Sequence, residues 1–313
     1  NPEISWVRGG AGFGSIKVLE GLLEEGFTYD ELVHYGLLGI SEKVKPTGSV
    51  IRTLENHGLS LSNIQKVIPA IKVGQPGTIG LPFFSLENRL TYPVEIGGIV
   101  NNIYGRSIDP NCLKKYRHTK LSNEYTDMPH GAYNLRKAIE KAVRQKSPTL
   151  LIEEAPINAD TFDQISISNP GVTGIIGVNN RIIFELLSDF PGDLLVSLNN
   201  DPAVFDEEGI QLFDERGNPK GMTGQKNTIL LAREVRRYGF RGNIMTFTKP
   251  FAKSYSNFDY NDINQFWIEY GFTRGELINP FDYIESIKVV PEENWDAQDV
   301  KQFWIQNYPM VKK

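Results

Sequence analysis

Four short apolar runs in the second half of the chain, at 149–152, 172–178, 194–198 and 243–247, recur with helical stretches between them. Runs of that length rich in Leu, Ile and Val read as buried strands. The intervening segments, at about 180–189 and 227–238, space their apolar residues as helices do, and 135–143 is an amphipathic helix leading into the first run. Strands that alternate with helices are joined by crossovers, and crossovers build parallel sheets. Adding 4–7, 67–73 and 94–100 brings the number to about seven or eight strands. The expected fold is therefore α/β with a mostly parallel sheet, doubly wound or closed as a distorted (β/α) barrel.

The stretch 15–68 reads as a helical N-terminal elaboration of that sheet. Thr28 with Glu31 three residues on forms a capping-box start for a helix over about 29–36. Thr47 or Ser49 opens a helix to His57, Gly58 breaks it, and Ser60 opens the next to about Ile68. From 67 to 105 the texture is short strands and loops, and Cys112 to Lys120 reads as a solvated basic helix face. No repeat or linker separates the halves, so a single domain over 1–313 is expected, with its most regular part at about 130–290.

Composition narrows the function. With 313 residues, 40% of them hydrophobic, the chain can bury a substantial core. A formal charge of −5 offers no net field for phosphate backbones, so no nucleic-acid partner is expected. Cys112 is the sole cysteine, which excludes an intrachain disulfide and a thiolate zinc site. No run approaches the ~18 apolar residues of a membrane-spanning helix, so a soluble protein of open compartment is expected. The opening Asn1-Pro2-Glu3 reads as the start of a segment excised from a longer protein.

Loops leaving the carboxyl ends of parallel strands share one face, where ligands bind. The four runs end in Glu153 and Glu154; in Asn179, Asn180 and Arg181; in Asn199, Asn200 and Asp201; and in Thr248 and Lys249. Adjacent strand residues point to opposite faces, so one of the two glutamates enters the site, and Glu153 is taken as the general acid or base. His130, in the loop before the helix that feeds this strand, is its partner. Asp201 and Asn199 orient the substrate, Asn179 binds it, and Lys249 clamps an anion. No metal-ligand spacing stands out, and no metal is expected. Cys112 falls outside this set.

Gly9-Gly10-Ala11-Gly12-Phe13-Gly14-Ser15 before a helix lets backbone N–H groups approach an anion, which makes Gly10, Gly12 and Gly14 substrate-binding candidates. This stretch resembles the opening fingerprint of extended short-chain dehydrogenase/reductases, one glycine spacing short, and Tyr116 with Lys120 matches that family's Tyr-x-x-x-Lys. That likeness implies NAD(P), although the helix expected at 29–36 stands where the family has a strand. The same stretch is similar to patatin-like lipases, whose Gly-x-Ser-x-Gly elbow is missing here. The segment 123–130, its following helix and Glu153 are similar to the erythromycin-esterase and haem-uptake superfamily, which includes bacterial toxin domains. That likeness implies a shared site for His130 and Glu153, and lacks the family's later histidine.

These readings lean toward an enzyme, a hydrolase or lyase using carboxylate and histidine acid-base chemistry on a polar small molecule or protein side chain, phosphorylated or not. Its cofactor is open, with NAD(P) not favoured. The alternatives are a non-catalytic binding or effector module of a larger bacterial toxin, and a short-chain-dehydrogenase-like oxidoreductase.

Overall fold

The structure, a computed structural model, describes residues 12–69, 71, 77–96, 99–119, 131–165, 171–176, 182–199, 201, 204–210, 212–215, 220–221, 223–246 and 262–266. The expected strand at 4–7 lies outside the described residues, and Ile71 alone is described of 70–76. The chain divides into two compact units, Asn1–Glu95 with Ile99–Pro129, and Ile96–Gly98 with His130–Lys313.

The first unit begins with β1 (Gly12–Gly14), α1 (Ile16–Glu24), α2 (Tyr29–His34), β2 (Leu38–Pro46), α3 (Thr47–Asn56) and α4 (Leu61–Val67). Leu19 and Leu23, Val50 and Leu54, and Ile64 and Val67 stand three or four apart on their helices and are buried in one cluster with Leu32 and Phe84. Three of the expected ends hold, whereas α2 stops at His34 and α3 starts behind Pro46 with no side-chain cap. Thr28 and Glu31 form a full capping box, the Ser60 hydroxyl accepts from the Asn63 N–H at 3.3 Å, and Gly58 takes φ +98° between α3 and α4.

β3 (Thr78–Phe84), β4 (Arg89–Ile96), β5 (Ile99–Ser107) and β6 (Tyr116–His118) follow. The run at 94–100 is thus two strands, and the link at 97–98 is far too short for the dozen or so residues of a parallel crossover. Antiparallel pairing dominates here: β1 with β4, β2 with β3 and β5 with β6. The basic segment is not a helix. Arg89, 6% exposed, donates to the carbonyls of Lys114 and Lys115 at 2.8 Å each and to that of Ser85. Those carbonyls are taken by a buried guanidinium, and Tyr116–His118 instead joins β5, where Tyr116 stacks on Tyr104.

The second unit holds β7 (Ala132–Tyr133), α5 (Leu135–Val143), β8 (Thr149–Glu153), α6 (Pro156–Ile165), β9 (Gly171–Ile175), α7 (Ile182–Leu187), β10 (Asp193–Ser197), α8 (Thr223–Arg237), β11 (Ile244–Thr246) and α9 (Ile263–Phe266). Its strands lie in the order β11-β10-β8-β9-β7, the first four mutually parallel and β7 antiparallel to β9. Leu150, Ile152, Leu194, Val196 and Ile244 pack with Phe184, Leu187, Ala232 and Val235 of the helices into a second cluster. The α/β class stands, whereas the mostly parallel sheet and the barrel do not. Pairing is mixed, and among the described residues β11 meets β10 alone, so the strand order does not close.

Candidate functional site at the ends of β8 and β10

β8 and β10 run parallel with Glu153 opposite Ser197, so the residues that follow, 154–155 and 198–201, leave from neighbouring points on one edge. Strand period sends the two glutamates to opposite faces, and the packed structure shows which goes where. Glu153 closes β8 and is 2% exposed. Glu154 turns toward the β10 loop, where its Oε2 accepts from the Asn199 N–H at 3.3 Å. Burial raises the Glu154 carboxyl above its ordinary value; the Asn199 N–H opposes this, and the charges of Asp201 and Asp262 add to it.

The β10 loop is held from the other side by α8. The Thr228 hydroxyl accepts from the Leu198 N–H at 3.2 Å and donates to the Gly224 carbonyl at 2.9 Å. The Gly224 N–H donates to Asp201 Oδ2 at 2.6 Å, so the first turn of α8, where backbone N–H groups are free, receives a carboxylate. Only glycine fits at 224, since a Cβ there would stand 1.9 Å from the Asn199 carbonyl oxygen. Asn199 is left with a side-chain Oδ1 that is buried and without a hydrogen-bond partner.

The wall next to Glu154 is built by α6 and α9. Thr161 of α6 donates to Asn264 Oδ1 of α9 at 2.9 Å, and Asp262, just before α9, is near enough to act on Glu154. Asn158 sits in the first turn of α6, fully buried, with neither its Oδ1 nor its Nδ2 hydrogen-bonded. Among the described residues no three Asp, Glu, His or Cys side chains gather closely enough to form a metal centre by themselves.

Of the residues expected from sequence, Asp201 and Asn199 are brought together, with Glu154 rather than Glu153 as the carboxylate that Asn199 meets. His130, Lys249, Asn179 and Gly10 lie outside the described residues. Gly12 and Gly14 form a strand where a loop was expected, and a Cβ on Gly14 would lie 1.9 Å from the Leu86 carbonyl oxygen, so close backbone packing accounts for that glycine. Asn158 and Gly224 went unnoticed in the sequence. An amide four residues after Glu154, at a helix start, was the available signal.

No family model and no curated relative matches the chain. Solved structures do. They include the Aquifex aeolicus primase with its zinc-binding and RNA polymerase domains, at 14% identity and TM-score 0.44, covering 88% of this chain and 56% of that one. The RNA polymerase domain of Mycobacterium tuberculosis primase DnaG in complex with a double-stranded DNA oligomer matches at 15% identity and TM-score 0.48, covering 99% of this chain and 83% of that one. A DnaG primase catalytic domain bound to single-stranded DNA matches at 14% identity and TM-score 0.42, covering 94% and 76%. This chain thus spans about half of the Aquifex chain, and no residue is assigned from any of the three.

These structures overturn several expectations. They are primase domains, not erythromycin esterases or short-chain dehydrogenases, so both resemblances are withdrawn, and with them the hydrolase or lyase, toxin-module and oxidoreductase readings. Local motifs of about 30 residues or fewer carried those likenesses, too short to define a fold. The exclusion of nucleic acid falls too, since two of the structures hold DNA. Net charge describes the whole surface and says little about one face of it. Among the described residues no helix is long and apolar enough to cross a membrane.

Proposed function

We propose that the edge formed by Glu154, Asn199 and Asp201 holds a divalent cation and serves phosphoryl or nucleotidyl transfer on a phosphate polymer. The observation that carries this is a surplus of oxygen. Glu154 is half withdrawn from water beside Asp201 and Asp262, with the Asn199 N–H as its hydrogen-bond donor, while Asn199 Oδ1 is buried with no donor at all. Carboxylate and amide oxygens are the ligands of Mg²⁺ and Mn²⁺, so the donor set fits a hard cation. Such a cation, when bound, neutralises phosphate oxygens and polarises the phosphorus centre.

The chain's own part is positioning. Gly224 and Thr228 fix the 198–201 loop on α8, which sets Asp201 and Asn199 against Glu154 before any ligand arrives. Nucleic acid is the polymer to assay first, being what two of the primases named above hold, and the proposal itself rests on the oxygen set. Titration with Mn²⁺, followed by electron paramagnetic resonance, is expected to show saturable binding that Glu154→Gln weakens at least tenfold. Equal binding by both proteins, or none by the wild type, would remove the reading.

A further inference from the structure

Among the described residues, Asn158 is the one whose side chain has two buried polar atoms without a partner. It is fully buried, and neither of its polar atoms has a hydrogen-bond partner. Buried amides are normally satisfied, and one left bare destabilises a fold. Its place is well bracketed. The Asn158 N–H donates to the Ala155 carbonyl at 3.0 Å, which puts it one turn from Glu154. Three residues on, Thr161 bonds to Asn264, and Asp262 at the start of that same short helix acts on Glu154. Asn158 is therefore enclosed in the first turn of α6, between Glu154 at the end of β8 and the Thr161 that bonds α9.

We propose that Asn158 is a positioning residue of the Glu154 site, holding the water shell of the bound cation through its carboxamide. This rests on the cation reading above. The chemistry suits it: a hydrated divalent cation presents water hydrogens to Oδ1, and Nδ2 donates to a carboxylate or phosphate oxygen beside it, so both orphaned atoms find partners at once. It also accounts for an amide rather than a third acid at this position. A buried aspartate would be a charge without a partner whenever the cation is absent.

Two substitutions test this with Mn²⁺ alone as the probe, read by electron paramagnetic resonance and by the thermal midpoint with and without the metal. Asn158→Leu keeps the volume and removes both polar atoms. It is expected to raise the midpoint of the metal-free protein, because an unsatisfied group is gone, and to weaken Mn²⁺ binding about tenfold. Asn158→Asp is expected to lower the metal-free midpoint and to bind Mn²⁺ about tenfold more tightly. If Asn158→Leu lowers the metal-free midpoint while both variants bind Mn²⁺ as the wild type does, Asn158 is merely structural and the inference fails. If the wild type binds no Mn²⁺, the cation reading fails, and the inference with it. Weakening by Glu154→Gln but by neither Asn158 variant leaves the first standing and overturns the second.

Discussion

Burial raises the Asp160 carboxyl to about 6 from an ordinary 3.8, opposed by the hydrogen bond from the Tyr133 hydroxyl, with the charge of Asp163 adding to the rise. The folded value lies above the unfolded one, so the native state holds the extra proton between them. The stability this group contributes is full below pH 4 and is lost as pH rises through 6. A rise of that size corresponds to on the order of 3 kcal/mol. Asp160→Asn, which keeps an acceptor for Tyr133, is expected to stabilise the protein at pH 7 by about 1–3 kcal/mol and to flatten the fall between pH 4 and 7. Urea unfolding at several pH values measures it, and an unchanged profile would count against the buried carboxyl as its source. At this scale the sequence was least informative. Glu153 and Glu154 are identical in type and adjacent, and nothing local says which one Asn199 will meet. Asn158 drew no notice because an unmet hydrogen bond is a property of the packed neighbourhood.

At the level of elements, the local signals that worked were those whose physics is local. The Thr28–Glu31 box, the Ser60 cap and the Gly58 break all set helix ends where expected. The signals that failed depended on partners. β2 carries Glu42, Lys43 and Lys45 with few apolar residues, and it is a strand because β3 pairs with it across a bulge between Ile40 and Val44. β6 looked helical until Arg89, 25 and 26 residues away in sequence, took the carbonyls of Lys114 and Lys115 beside it. α6 was missed because it starts at Pro156, two residues after Glu154, with its buried face including Asn158, Asp160 and Thr161, so its apolar period is weak. Gly224 is the element-scale control on the site. Gly224→Ala is expected to push α8 off the Asn199 loop, costing about 1–3 kcal/mol and most of the Mn²⁺ affinity. Thermal unfolding and metal titration together check this, and an intact midpoint would show that the loop can yield.

For the whole molecule, each compact unit has a hydrophobic cluster of its own, one around Leu19, Leu23 and Val50 and one around Leu150, Leu194 and Ala232. The single domain proposed from sequence makes a calorimetric prediction. Leu23→Ala and Leu194→Ala, each expected to cost about 2–5 kcal/mol, should both move one shared transition. Two transitions, each moved by one of the substitutions, would make the units independent folding bodies. The α/β class and the four strands β8 to β11 follow from the sequence alone, because strand length, helical period and caps are written in residues close to one another. Tertiary structure alone decided the mixed pairing, which depends on which edges meet, and the approach of Asn199 to Glu154, which depends on register between β8 and β10 and on where α8 clamps the loop. Those are distances between residues some 45 positions apart, and no local pattern encodes them.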